Sequence, residues 1–275
     1  MQLLNIEETQ QYAYEILKFI ADVCEEQNIR YFLVWGTLIG AVRHKGFIPW
    51  DDDVDICMPR SDYNRFINYM DSIADNRYQL YREGKTSNYF LSLSRVVDTK
   101  TIIIGERKEN KKQLDCGIFV DIYPIDFVGN SKQECERFFR MQMKYEWLKG
   151  LARQESFVKS KSGAINTIIK LPFYFYAKLM GADFFYKKME KKASLKHSDM
   201  NTFCCSCYGT GGMKSDKLIF SSAWFGEGRD CIFNGNLFKI PERFHEFLTQ
   251  VYGDYMQLPP VEERIGHHEY KAYKL

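Results

Sequence analysis

The sequence predicts an α/β chain, a small mixed sheet elaborated by a helical insertion and C-terminal helices. Three observations predict it. Tyr31 to Trp35 is a short apolar run stopped by Gly36; Trp50 to Met58 sets acidic residues among apolar ones and reads as a second strand; and Lys132 to about Lys196 is lysine-rich and helical in period. A chain of 275 residues can bury a core without staples. We read residues 1–130 as the chemistry-bearing core, with 131–275 as the insertion and C-terminal segment that complete the same domain.

Each element has its own warrant. From Glu7 to Gln27, apolar residues recur at Tyr12, Ile16, Leu17, Ile20, Val23 and Cys24, and Asn5 with Glu8 offers a capping box. After the Tyr31–Trp35 strand, Thr37 to His44 reads as a short helix. Pro59 and Ser61 precede a helix whose stripe is Tyr63, Phe66, Ile67, Met70 and Ile73. Strands are predicted at Tyr78 to Tyr81, Tyr89 to Val97, Thr101 to Gly105 and Gly117 to Tyr123. The helical region is expected to break at Gly163 and Pro172. A glycine-rich turn at Gly209 to Gly212, a helix from Pro241 to Tyr252 and a tail rich in Pro and His complete the chain.

Composition excludes several classes. Thirty-eight basic against thirty-six acidic side chains leave a net charge of +2, too balanced for an electrostatic claim on nucleic acid, so no nucleic-acid partner is expected. An apolar fraction of 45% with 27% charged residues excludes wholesale disorder and fibres. Residues 1–19 lack the positive region and unbroken apolar stretch of a secretory leader, so Met1 is expected to be kept. Leu171 to Tyr186 is interrupted by Pro172, Lys178 and Asp183, which predicts no membrane span. Eight scattered cysteines favour reduced thiols and a cytoplasmic setting, with at most peripheral contact at the inner membrane face. Cys204, Cys205 and Cys207 read as structural thiols, since no second ligand pair for zinc stands nearby. The lysines from Lys149 to Lys192 read as an ordinary amphipathic layer over the sheet in preference to an interfacial patch.

The informative stretch is Trp35 to Met58. In a strand, Asp51, Asp53 and Asp55 would project to one side while Asp52 and Val54 point to the other. Three like charges on one edge repel unless a cation neutralises them, and carboxylate oxygens suit Mg²⁺ or Mn²⁺. A third acidic position, ligand and base for an attacking hydroxyl, is best filled by Asp121 inside the apolar run from Gly117 to Asp126. Asp126 follows Pro124, is placed in a turn, and stands as understudy. Gly36 and Thr37 close a strand and open a helix, where backbone N–H groups favour a phosphate. Arg43, His44 and Lys45 could reach a diphosphate, Arg43 best because its planar fork suits phosphate, and Arg95 is a weaker candidate. His267 and His268 could hold metal or phosphate.

A strand, a Gly-Thr pair, a helix and then Asp-apolar-Asp on the next strand resemble the nucleotidyltransferase superfamily, which implies metal-assisted attack at a nucleotide-linked phosphorus. The likeness goes further. The run from Gly36 to Phe66, GTLIGAVRHKGFIPWDDDVDICMPRSDYNRF, with VDIYPID after it and IPERFHEFLTQVYGDYMQLPP and HH near the end, resembles the LicD family. That resemblance implies transfer of a phospho-alcohol, typically phosphocholine from CDP-choline, to a sugar hydroxyl of a surface glycan of teichoic acid, capsule or lipopolysaccharide type, lipid-linked or free, with release of CMP. By position, Asp53 and Asp55 match the family's metal aspartates, Asp121 the later acidic residue, and Gly36 and Thr37 the phosphate turn, with Asp51 and Asp52 in support. A choline pocket needs aromatic faces, for which Trp35, Trp50, Trp224, Phe225 and Tyr255 are available. Two rivals remain: a nucleotidyltransferase that releases pyrophosphate, and a non-catalytic glycan- or nucleotide-binding module.

Overall fold

The computed structural model describes residues 1–73, 75–105, 116–160, 163–208, 213–266 and 270–275. The turn expected at Gly209 to Gly212 and the candidates His267 and His268 lie outside the described residues. Strand β1 (Gln2–Leu3) leads into helix α1 (Ile6–Glu26). The expected capping box forms: Glu8 N–H donates to Asn5 Oδ1 and Asn5 N–H donates to the Glu8 carboxylate, each at 2.8 Å. The α1 stripe Ile16, Leu17, Ile20 and Val23 is buried.

Strand β2 (Phe32–Leu33) is shorter than expected, because Trp35 already opens helix α2 (Trp35–Ile39), which runs on as a π-helical turn, Gly40–His44. Strand β3 (Asp55–Pro59) starts late, at Asp55, and passes directly into helix α3 (Arg60–Ser72). Next come β4 (Tyr78–Tyr81), β5 (Ser94–Asp98), β6 (Thr101–Gly105) and β7 (Phe119–Gly129). Tyr89 falls outside the strand predicted for it; its hydroxyl donates to the Leu93 carbonyl at 3.0 Å and shapes a loop. The helical region is α4 (Lys132–Arg153), α5 (Ala164–Met180) and α6 (Ala182–Lys196). Gly163 precedes α5, but Pro172 lies within it, since an exposed proline removes a single backbone hydrogen bond that water can replace. The remainder is β8 (Phe203–Cys205), α7 (Ser215–Leu218), β9 (Ile219–Ser221), β10 (Arg229–Phe233), β11 (Asn236–Ile240), α8 (Phe244–Tyr252) and β12 (Tyr270–Lys274). Among the described residues no helix is long and apolar enough to cross a membrane.

The main sheet is mixed, in the order β2-β3-β7-β5-β4, with β8 and β9 added along the far half of β7. Strands β3 and β7 run parallel and the other pairs antiparallel. Every residue of β7 is buried, as its near-continuous apolar run requires. Pro124 is tolerated in this central strand because β5 pairs with β7 only as far as Ile122 and β8 begins at Asp126. The missing N–H of Pro124 therefore falls in a gap between partners.

That gap also corrects the reading of Asp126. It is not in a turn but inside β7, fully buried, where its two oxygens accept from Arg60 Nε at 2.7 Å and Nη2 at 3.1 Å. Arg60, 1% exposed, donates as well to Glu190 at 3.0 Å and to the Tyr208 hydroxyl at 2.8 Å. Asp126 thus ties β7 to the start of α3, to α6 and to the segment after β8, and is absent from the cleft described next.

Candidate active site

The site is built where β2 ends and the parallel pair β3 and β7 begins. Trp35 takes a left-handed backbone conformation (φ 51°), strained by roughly 1–3 kcal/mol for a bulky side chain. The strain is offset by packing of its ring on Tyr123, Phe220 and Phe247. This turn sets Gly36 against the acidic segment: a Cβ there would stand 2.7 Å from Asp51 Oδ2. The Thr37 hydroxyl accepts the Asp55 N–H at 2.8 Å and so pins the first residue of β3. Gly36 lines the cleft; Thr37 is buried and serves the strand.

Between the π turn and β3 the chain is not pleated, which corrects the alternation expected of Asp51 to Asp55. Gln10 on α1 donates to the carbonyls of Ile48 and Asp51 at 3.3 and 2.7 Å and folds the segment back. Asp51, Asp52 and Asp53 each turn an oxygen into one cluster whose atoms lie within 4.8 Å of one another. Asp52 therefore joins its neighbours and does not point away.

Asp55 and Asp121 face each other across the parallel pair β3·β7, and Asp121 N–H donates to the Val54 carbonyl at 2.9 Å. Asp55 Oδ1 is buried without a hydrogen-bond partner in the structure. Burial first, then the charges of Asp53, Asp121 and Asp51, push the Asp55 carboxyl well above the usual range. Asp121 is held differently. Its two oxygens accept from Arg95 Nε at 2.5 Å and Nη2 at 3.1 Å, and the same guanidinium lies over the Phe119 ring at 3.5 Å. Arg95 stands above its ordinary value: burial works against its charge, and the adjacent Asp121 carboxylate more than restores it.

Together these residues border a cleft of about 960 Å³. Asp51, Asp53, Asp55, Asp121, Gly36, Arg43 and Arg95 line it. Arg43 Nη1 is engaged with the carbonyls of Tyr255 and Gln257 at 2.7 and 3.2 Å, which fastens the far wall. Lys45 does not reach the cleft. The π turn ends with Lys45 in a left-handed conformation (φ 60°), which turns the chain toward a separate hollow beside β10. Of the aromatics singled out in the sequence, Trp35, Trp50 and Tyr255 line the cleft, whereas Trp224 and Phe225 pack on Phe220. Tyr123 and Tyr252 also line it and went unrecognised. Tyr123 was findable, being two residues beyond Asp121 on one strand and so on the same face.

Comparison with known proteins finds relatives for this chain. Residues 28–154 match the family model described as LicD/FKTN/FKRP, nucleotidyltransferase domain. Over its whole length, and over the whole of the relative, the chain is 31% identical to the lipopolysaccharide cholinephosphotransferase LicD of Haemophilus influenzae. The chain belongs to the LicD family. It is accordingly a phosphotransferase. A shorter likeness, 45% identity over 42 residues, covers 15% of this chain and 8% of the human ribitol 5-phosphate transferase FKRP. An uncharacterised protein of Rickettsia typhi is 32% identical over 114 residues, 42% of this chain and 34% of the relative.

The donor set of this LicD-family chain fits a hard divalent cation. A buried carboxylate oxygen without a partner, crowded by three further carboxylates, is a site that a cation would stabilise. Cysteine and histidine, the softer ligands, take no part in the cluster among the described residues.

Proposed function

We propose that the protein transfers phosphocholine from CDP-choline to a sugar hydroxyl of a cell-surface glycan, of teichoic acid, capsule or lipopolysaccharide type, and releases CMP. The observation that carries this reading is the full-length likeness to a lipopolysaccharide cholinephosphotransferase, an alignment that spans every carboxylate of the cleft. Asp53, Asp55 and Asp121 would hold Mg²⁺ or Mn²⁺, with Asp51 and Asp52 supporting them. Such an ion, when bound, polarises a phosphoryl oxygen and screens the negative charge that an attacking oxygen must approach.

The chain's own groups divide the remaining work. Asp121, oriented by Arg95, takes the proton of the acceptor hydroxyl as the new O–P bond forms and the bond to CMP breaks. Arg43 and Arg95 place positive charge on the cleft wall, where a departing phosphate gathers charge. A trimethylammonium group donates no hydrogen bond, and Trp35, Trp50, Tyr123, Tyr252 and Tyr255 supply aromatic faces for it.

The test is incubation with CDP-choline, Mg²⁺ and a glycan acceptor. CMP release that depends on both acceptor and ion is the expected result; pyrophosphate release from CTP with no CMP from CDP-choline would overturn it. Full turnover by Asp53→Ala would remove the catalytic assignment. CDP-ribitol is the informative competitor, because of the local likeness to a ribitol 5-phosphate transferase.

Gly36 supplies a further prediction. The Cβ of Gly36→Ala would force the short, buried Asp51 side chain to move. A displacement of this kind beside an ion site is expected to lower kcat/KM for CMP release by about 10–100-fold, with little change in unfolding temperature. Unaltered kcat/KM would show that Asp51 is not held in place by this contact.

A further inference from the structure

Helix α5 carries its apolar residues on the side opposite to that of a core element. Ile165, Ile168, Ile169, Phe175, Tyr176 and Leu179 recur at helical spacing on one face, and that face points outward, with Ile165 75%, Ile168 71% and Leu179 84% exposed. Its inward side buries only Tyr174 and Ala177, the latter in a small separate core with Leu148 and Leu151 of α4 and Phe185 of α6. The layer expected over the sheet is thus built by α4 and α6, while α5 rides on top of it. An apolar stripe of this length on a surface marks a contact with something else.

Charge identifies the occupant. Residues 157–196 hold nine lysines against Asp183 and Glu190, a net +7 in a chain whose total is +2, so the rest of the molecule sums to −5. Glu190 is already spent on Arg60 at 3.0 Å. α5 has no acidic residue, and Lys187, Lys188, Lys191 and Lys192 of α6 are exposed. Lys170 and Lys178 turn their ammonium groups back to the carbonyls of Val158 and Ala152, at 2.7 and 3.0 Å, and leave the apolar face clear. A clean apolar stripe on α5, with a lysine-rich helix following it directly in the chain, complements a negatively charged bilayer surface. A second copy of the chain would set +7 against +7. Seventeen residues interrupted by two lysines lie along an interface and do not span it.

We propose that α5 lies flat in the surface of a bilayer containing anionic phospholipid, its stripe at the boundary of headgroups and acyl chains and the α6 lysines at the level of the phosphates. The helix beneath connects this surface to the cleft: α4 packs Leu148 and Leu151 toward α5, while its Lys149 hydrogen-bonds the Ser92 hydroxyl, between the cleft-lining Leu91 and Leu93. Docking through α5 would therefore hold the cleft beside the membrane.

Co-sedimentation of the full chain with vesicles tests this without any substrate, so its failure is separate from failure of the transferase reading. The protein should bind vesicles of phosphatidylcholine mixed with phosphatidylglycerol, not vesicles of phosphatidylcholine alone, and salt should weaken the binding. Ile168→Ser with Leu179→Ser should lower partitioning at least about tenfold, and reversal of Lys187, Lys188, Lys191 and Lys192 to Glu should do so independently, at roughly fivefold per lysine. Both variants should keep the wild-type unfolding temperature, the substituted side chains being exposed. No binding to the mixed vesicles, equal binding to both kinds, or a wild-type dimer that the double-serine variant converts to monomer would overturn the proposal.

Discussion

Asp55→Asn is expected to abolish transfer, with kcat/KM falling by at least about 10³-fold, and at the same time to raise the unfolding temperature of the metal-free protein. The two effects have one cause. Asp55 is 7% exposed, one of its oxygens has no hydrogen-bond partner, and Asp53, Asp121 and Asp51 all oppose its charge. Folding without a cation must either bury that anion or take up a proton on it, at a cost in both cases, whereas asparagine is of the same shape, carries no charge and offers its amide N–H groups to the surrounding carboxylates. Relief of an uncompensated buried group is on the order of 1–3 kcal/mol, and in a chain of this size each kcal/mol moves the unfolding temperature by roughly 2–4 °C. A cation reverses the sign: Mg²⁺ should stabilise the wild type markedly and the variant little, as a ligand of the native state does. Thermal unfolding with and without Mg²⁺, beside CMP release, checks both halves. A variant that is less stable without the ion, or that keeps the full Mg²⁺ response, would show that the carboxylate is structural.

Arg60→Met should destabilise the fold by about 3–5 kcal/mol without touching the cleft. Asp126 is fully buried and receives two hydrogen bonds from Arg60, which also serves Glu190 and Tyr208. Removal of the guanidinium leaves a carboxylate inside the sheet with no cation, the most expensive arrangement a buried ion pair can be left in. Replacing both partners, as in Arg60→Met with Asp126→Leu, should recover much of the loss, since apolar groups of similar volume need no solvation. Denaturant unfolding of the single and double variants gives the coupling. If Arg60→Met alone costs under about 1 kcal/mol, the network is not what joins β7 to the helical layer.

What could be read beforehand followed local rules. The capping box at Asn5, the Gly36 turn after an apolar strand and the acidic run before Ile56 are each decided by residues within a few positions of one another, and the fold class follows from their order. Asp126 shows where such reading stops. Both it and Asp121 sit in one apolar run, and Pro124 between them signals a turn. Only the pairing of β7 with β5 on one half and β8 on the other shows that the proline falls in a gap and that the strand continues past it. Arg95 faces Asp121 across β5 and β7, which gives it a place at the site that no local pattern signals, since sequence does not specify which residues of two strands stand opposite. Tyr252 comes from the end of α8, far along the chain, with no local sign of where that end docks.

The sequence by itself determined the family and the chemical character of the cleft, because a carboxylate cluster beside a glycine turn is a matter of residue types at short spacing. Tertiary structure alone decided which of the six aspartates from Asp51 to Asp55 and from Asp121 to Asp126 meet, that Arg95 holds one of them and Arg60 another, and that the apolar stripe of α5 faces outward. Helical periodicity says that a helix has two faces. Which face is covered depends on what the rest of the chain packs against it, and that is settled only when distant elements come together.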